Sequence, residues 1–274
     1  MNLIDCHAHL NEFPDPGPVL RRAAAVSVVG VVAVGIDTAT SRRIIEISRQ
    51  YPDAKIAPAI GLYPDEVTED EIASILELID ENHSELAALG EIGLDYWVRG
   101  LRKKAPGREE VKALQQEAFR LQLRKAVQYS LVPIIHSRGA WADALRLVEE
   151  EGVKRAVFHW YTGPLEVLDG IIAGEHFVSA TPAAAGSPEL RVVLAAAPLE
   201  RIVLETDCPV PRRVGEERVP TEPADVVYSL RALAALKGLP EDEVARVTSR
   251  TARELFFPGT GRCRQLQPPT SGTE

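Results

Sequence analysis

A closed (β/α)8 barrel forming a single domain is the fold class this sequence predicts, and three observations predict it. Apolar runs of strand length, rich in Val and Ile, recur at residues 3–6, 28–34, 55–60, 86–90, 132–136, 156–158, 177–180 and 202–205. Most are apolar throughout rather than alternating, as expected of parallel strands covered on both faces. Between them lie segments whose apolar residues recur at intervals of three and four, the helical period. The chain is 274 residues long, close to what one such barrel fills. The alternative is an open doubly wound sheet. It is disfavoured because no Gly-rich nucleotide fingerprint follows the first run.

The first run leads into Ile4-Asp5-Cys6-His7-Ala8-His9. On a regular strand, side chains alternate faces, so Asp5, His7 and His9 are expected on one face and Cys6 on the other. Two imidazoles two residues apart on a stiff strand are pre-set to clasp one metal ion, with a carboxylate below them to orient a ring. The plain alternative is a polar strand end. Further along, Ser41 or Thr38 is the candidate cap of a helix ending near Tyr51-Pro52. Thr68 and Glu71 have the spacing of a capping box before the stripe Ile72, Ile75, Leu76 and Ile79. Leu114, Ala118, Leu121 and Lys125 mark the face of a long helix, and Ala140, Ala144, Leu147 and Val148 that of the next. Lys237-Gly238 followed by Pro240 ends one C-terminal helix, and Glu241 opens another. Residues 97–108 are basic and broken by Gly100, Pro106 and Gly107, which reads as a mobile loop over a site. The barrel is expected to occupy residues 1–258. The Pro-, Gly-, Thr- and Ser-rich tail, 259–274, is expected to be disordered.

Composition narrows the function classes. With 45% hydrophobic and 26% charged residues the chain is of ordinary globular type. A net charge of −9 excludes a bulk polyanion binder, so contact with nucleic acid needs a local basic patch or bound cations. The three cysteines, Cys6, Cys208 and Cys263, are far apart and odd in number, which argues for a reducing compartment. No basic stretch followed by an apolar one opens the chain. The longest apolar run, from Val26 to Ile36, is interrupted by Ser27, Gly30 and Gly35 and is too short to span a bilayer. The expectation is a cytoplasmic monomer without a membrane partner.

Of six histidines, His7, His9, His136 and His159 fall at the C-terminal ends of the first, fifth and sixth runs. In a barrel those ends open onto one face, where catalytic groups gather. His83 and His176 do not share this placement and read as structural or solvated. Glu91 ends the fourth run and Asp207 follows the eighth. An acidic residue there can simply cap a loop, but neutral imidazoles and carboxylates together suit Zn²⁺, Mn²⁺ or Mg²⁺. Six such groups exceed what one catalytic ion takes from protein, so a two-metal centre is expected. Two cations ~3.5–4 Å apart stabilise both the attacking and leaving oxygens of a phosphodiester. Arg138, two residues past His136, is placed to grip a phosphate oxygen or to form a surface ion pair. Arg99, Arg102, Lys103 and Lys104 offer a local positive surface, or a solvated loop. Trp97, Trp160 and Tyr161 follow strand ends and suit base stacking or rim packing. Cys6 and Cys208 read as packing residues.

These residues recur in an ordered series of motifs. They are Asp5-Cys6-His7-Ala8-His9-Leu10, Gly90-Glu91-Ile92-Gly93-Leu94-Asp95-Tyr96, and Gln115 to Gln122 with Phe119 between. Then come His136-Ser137-Arg138, Phe158-His159-Trp160-Tyr161-Thr162-Gly163, Glu205-Thr206-Asp207-Cys208-Pro209, and Thr251-Ala252-Arg253-Glu254-Leu255-Phe256. The series, from Asp5 to about Phe257, resembles the TatD-type metal-dependent deoxyribonucleases of the amidohydrolase superfamily. The resemblance implies a (β/α)8 barrel with two divalent metal ions (Zn, Mg or Mn). It implies that His7, His9, Glu91 and Asp207 hold one ion, and that Glu91 bridges to a second held by His136 and His159. Glu91 and Asp207 are then the catalytic carboxylates, with Asp207 accepting the proton of a metal-bridging water and holding the hydroxide that results. The implied activity is an exonuclease-type deoxyribonuclease acting on single-stranded or nicked DNA, or on a small phosphodiester or ester.

Two motifs depart from the family pattern. Gly61-Leu62-Tyr63-Pro64 stands where the family has Gly-x-His-Pro, and Trp160-Tyr161-Thr162-Gly163 where it has Cys-Phe-Ser-Gly. Both departures bear on substrate recognition, so Tyr63, Trp160 and Arg138 are the candidate substrate contacts. One rival reading keeps the metals and changes the bond, to an ester or amide as in a D-aminoacyl-tRNA deacylase. Glu91 stands where that rival's carboxylated lysine would be, which tilts toward the nuclease branch. A catalytically silent binding barrel is the other rival. It is opposed by the retention of all six candidate ligands.

Overall fold

The computed structural model describes residues 2–97 and 107–257. Eight parallel strands run in sequence order around a nearly closed barrel. They are β1 (Leu3–Ala8), β2 (Val28–Val34), β3 (Ile56–Ile60), β4 (Ala88–Gly93), β5 (Val132–His136), β6 (Val157–Phe158), β7 (Phe177–Ala180) and β8 (Ile202–Leu204). Helices lie between them: α1 (Pro16–Ala25), α2 (Thr38–Gln50), α3 (Glu69–Asn82), α4 (Arg108–Tyr129), α5 (Trp141–Glu150), α6 (Leu165–Ala173) and α7 (Pro188–Ala196). After β8 come a short antiparallel hairpin, β9 (Arg212–Val214) with β10 (Glu217–Val219), and then α8 (Val226–Lys237) and α9 (Glu241–Phe256). The seam between β1 and β8 is closed just past β8, where Asp207 N donates to His7 O and His9 N to Cys208 O, each at 2.9 Å. The expected mobile loop with Arg99, Arg102, Lys103 and Lys104, and the tail with Cys263, lie outside the described residues. Among the described residues no helix is long and apolar enough to cross a membrane.

Two apolar layers hold the barrel. The inner one gathers Ile4, Cys6, Val32, Val34, Ala57, Ala59, Ala88, Ile134, Val157, Phe177 and Val203, one or two from each strand, with Ala252, Leu255 and Phe256 of α9 packed against them. The outer one joins the other strand faces to the helices, as where Leu89, Ile92 and Ile135 meet the same cluster as Phe119 and Leu123 of α4. Each large apolar side chain removed from water in these layers contributes ~1.5–3 kcal/mol.

The alternation slips early on β2, where Leu3 pairs with Val28 and Ile4 with Gly30, and again toward the C-terminal ends of β1 and β4. Asp5 pairs with Val31 and Ala8 with Ala33, so β1 takes three steps where β2 takes two. Likewise Leu89 pairs with Pro133 and Ile92 with Ile135, giving β4 one extra residue against β5. An extra residue turns every later side chain to the opposite face. On β1, Ile4 and Cys6 pack in the inner layer and Ala8 in the outer one, so His7 and His9 both point inward. On β4, Ala88 is inner while Leu89 and Ile92 are outer, which turns Glu91 inward. This corrects the expected grouping: Cys6 is not turned away from the histidines by simple alternation, and Asp5 does not lie beneath a ring. The buried Asp5 carboxylate accepts from Thr206 N at 2.9 Å, Thr206 Oγ1 at 2.7 Å and His7 N at 3.3 Å, tying β1 to the segment after β8.

Three local expectations also change. The cap of α2 is Asp37, not Ser41 or Thr38; its Oδ1 accepts Thr40 N at 2.7 Å. Thr68 does cap α3 through Glu71 N, but the Glu71 carboxylate turns to Thr38 N and Oγ1 and joins α3 to α2. The buried face of α4 is Gln115, Ala118, Phe119, Gln122, Leu123 and Ala126, with Leu114, Leu121 and Lys125 only half-buried. Apolar counting misreads this helix because two glutamines face inward to satisfy loop backbone. Gln122 Oε1 accepts Leu62 N at 2.8 Å, and Gln115 accepts Asp95 N and donates to Pro64 O. The end of α8 is as expected: Gly238 adopts φ 65°, a left-handed turn open to glycine without strain.

Candidate active site

The C-terminal ends of the strands open into a cleft of about 520 Å³. His9, Glu91, His136, His159 and Asp207 line its floor, with His7 fully buried beside them; Tyr63, Arg138, Trp141 and Trp160 are among its walls. All nine residues singled out from the sequence therefore meet at one mouth.

Four donor atoms form the first cluster. His7 Nε2 lies 3.3 Å from His9 Nε2, 3.5 Å from Glu91 Oε2 and 3.6 Å from Asp207 Oδ1. His9 Nε2 lies 3.7 Å from Glu91 Oε2 and 3.4 Å from Asp207 Oδ1. A tetrahedral ion with ligand bonds of ~2.1 Å has donor-to-donor edges of ~3.4 Å. The spacing and the mixed nitrogen and oxygen donors thus fit a divalent metal. The second cluster uses the other Glu91 oxygen. Glu91 Oε1 is 2.8 Å from both His136 Nδ1 and His159 Nε2, which are 3.3 Å apart. One carboxylate is therefore shared, oxygen by oxygen, between the two donor sets.

Electrostatics bind these groups together. Burial lowers the proton affinity of His9, but the Asp207 and Glu91 carboxylates outweigh it and raise its pKa to about 9. Burial pushes the Glu91 carboxyl up, yet His159, His136 and His7 more than offset this and hold it well below the carboxylate range. Metal binding must displace the imidazole protons, so affinity should rise with pH. Two non-glycine residues lining the cleft adopt positive φ, Trp160 at 39° and Asp207 at 54°. Such backbone costs energy and persists where its surroundings fix it. Trp160 N donates to Ser179 Oγ at 2.7 Å and Glu205 Oε1 at 3.2 Å.

Outside the donor atoms, sequence reasoning missed Asp95. It lies two residues past β4 and is fully buried. Its Oδ2 is 3.0 Å from His136 Nε2, so the ring's proton belongs on that side and Nδ1 keeps its lone pair for the cluster. The same oxygen accepts Arg138 Nε at 2.8 Å, Arg138 Nη2 at 2.7 Å and Tyr63 Oη at 3.1 Å. Burial raises the Asp95 pKa, but His136 and Arg138 prevail and draw it down to about 2. Arg138 is thus an ion pair within the cleft rather than an unattached phosphate grip. His9 is oriented by Val34 O, 3.0 Å from its Nδ1. The only advance signal for Asp95 was its place in Gly93-Leu94-Asp95, just beyond a ligand strand.

The aromatic readings divide. Trp160 lines the cleft, as expected. Tyr161 does not: it is 1% exposed and its hydroxyl donates to Pro164 O. Trp141 takes a wall position that no motif marked, and Trp97, 61% exposed, meets it edge to face at 5.7 Å. His83 stacks on Tyr129 at 4.1 Å, and His176 is buried before β7, both apart from the cleft as expected.

The family model described as TatD related DNase matches residues 4–257. The chain is 34% identical to an uncharacterized metal-dependent hydrolase, YabD, of Bacillus subtilis, over 93% of this chain and 98% of that one. It is 31% identical to the human deoxyribonuclease TATDN3, covering 93% of this chain and 95% of the other. The crystal structure of YJJV, a TatD homolog from Escherichia coli, superposes with a TM-score of 0.82 at 23% identity, covering 93% and 98% of the two chains, and shows the same fold. By the extent of the match and the level of identity, the chain belongs to the TatD-related DNase family.

Proposed function

We propose that this TatD-family metal-dependent hydrolase cleaves phosphodiester bonds at the ends of single-stranded or nicked DNA through a two-metal centre. The observation that carries the reading is the division of Glu91, one oxygen in each donor set. His7, His9, Glu91 and Asp207 would hold one divalent ion; Glu91, His136 and His159 would hold the other. When bound, the ions supply Lewis acidity and an acidified water.

The chain's own residues do the rest. Glu91 keeps the two donor sets in register. Asp207 accepts the proton of the attacking water at its carboxylate. Arg138, braced by buried Asp95, presents fixed positive charge to a phosphate oxygen where the net charge of the chain is negative. Tyr63 steadies the same carboxylate, and Trp160 offers a face to a base. A cleft of about 520 Å³ is of small-ligand size, which favours an unpaired nucleotide end over intact duplex. Cys6 and Cys208 are buried free thiols, which supports a reducing, cytoplasmic setting.

Hydrolysis of a labelled single-stranded oligonucleotide tests this. EDTA should abolish it, and Zn²⁺, Mn²⁺ or Mg²⁺ should restore it. Turnover of an ester or D-aminoacyl-tRNA substrate with no action on DNA would move the activity to the other branch. Neither activity, in protein shown to hold metal, would favour a binding role.

A further inference from the structure

Four imidazoles enter the two donor sets, and each must present a lone pair there. A neutral ring that does so carries its proton on the other nitrogen, and that N–H needs an acceptor when buried. For two rings the acceptor is in place: Val34 O for His9 and Asp95 for His136. For the other two it is not. His7 Nδ1 and His159 Nδ1 are buried and lack a hydrogen-bond partner among the described residues.

A third unsatisfied atom lies with them. Glu205 is fully buried, and its Oε2 also has no partner among the described residues. Its Oε1 stands 3.5 Å from His159 Nδ1. One nitrogen of His7, one of His159 and one Glu205 oxygen all lie within 4.8 Å of one another. The two rings stack nearly parallel, 18° apart with centroids at 4.3 Å, so both can turn the same edge to one carboxylate. Leaving two buried donors and a buried acceptor unpaired is costly, and pairing them with one another removes that cost.

We propose that Glu205 is a shared positioning residue: its carboxylate accepts Nδ1–H from both His7 and His159 and so fixes the tautomer of one ligand in each donor set. Because His7 serves the set with Asp207 and His159 the set with Glu91 and His136, a single side chain couples the two halves. This rests on the two-metal reading for its purpose, but it is tested on the rings themselves. Glutamine in its place keeps one acceptor oxygen and turns an NH₂ toward the other ring. That ring must then accept at Nδ1 and protonate Nε2, losing its lone pair for the metal.

The test is ring ¹⁵N NMR and metal analysis on the full chain. In Zn²⁺-loaded wild type, both His7 and His159 should show Nδ1–H tautomers. In Glu205→Gln one ring should switch, and affinity for Zn²⁺ should fall about 10–100-fold. Ser179→Ala removes the other acceptor of Trp160 N but touches no imidazole, and it should retain wild-type affinity and tautomers. A wild-type spectrum with Nε2–H on either ring overturns the proposal, even if Glu205→Gln fails to fold. So does Glu205→Gln with unchanged tautomers and affinity. Failure to cleave DNA by a protein with the expected tautomers would instead count only against the proposed substrate.

Discussion

The C-terminal halves of β2 and β3 differ from those of β1 and β4 in one respect that decides what each can do. In β2 and β3 the register advances residue for residue, from Val31 with Ile56 to Val34 with Ala59. From Val31 onward alternation is strict: Val32, Val34, Ala57 and Ala59 face in, Val31, Ala33 and Ile60 face out, and all are core. In β1 and β4 an extra residue breaks the pattern just before the C-terminal end. The break brings His7 inward beside Cys6, and Glu91 inward beside Gly90. Stretches that keep register at this end make the wall; those that slip there aim polar atoms into it. Bulges of this kind cost ladder hydrogen bonds and are kept where a side chain must be re-aimed.

The contrast is open to mutation, and the largest effect should come from the irregular strands. Glu91→Ala should remove all measurable nuclease activity while the chain stays folded by circular dichroism. Ile60→Ala, on regular β3 and fully buried, should do the reverse. It should cost ~2–5 kcal/mol in urea unfolding and leave metal content and turnover per folded molecule intact. Equal losses of activity in both would erase the distinction between wall and site.

A smaller effect is expected one step back from the donor atoms. Asp95→Asn keeps the shape but weakens the hold on His136 and Arg138, and should lower metal affinity or kcat/KM about 10–100-fold. A change in stability alone would make Asp95 part of the wall.

The smallest effect is a pH slope away from the site. His176, before regular β7, is held down to about 4 by burial and by nearby Arg201. The unfolded chain, with a histidine pKa of ~6.5, takes up the proton first. The contribution of His176 is therefore complete above ~6.5 and is lost as pH falls through the folded value. His176→Gln should flatten stability against pH in that window, in urea titrations compared with wild type. An unchanged slope would remove His176 from the acid limb.

Much of this was legible in the residues. Eight apolar runs gave the strand count and order, and histidines and carboxylates at their ends marked the mouth. The illegible parts share a cause. A bulge leaves no trace in apolar spacing, so Asp5 and Cys6 were assigned to the wrong faces. Gln115 and Gln122 are buried for their hydrogen bonds, so counting apolar residues misplaced the face of α4. Asp95 and Glu205 act through partners distant in sequence, His136 and His159, and only folding brings each pair together. Tyr161 looked like a rim aromatic because nothing in the motif says that Trp160 turns left-handed and sends the next side chain inward.

The central claim is that re-aimed side chains from separate strands form two adjoining ion sites hinged on Glu91. Metal equivalents per chain, measured by mass spectrometry after equilibration with Zn²⁺ or Mn²⁺, test it most directly. Two equivalents in the wild type, with both weakened together in Glu91→Ala, is the predicted result. A chain that holds no ion above background, or one whose metal content is indifferent to Glu91, would contradict it.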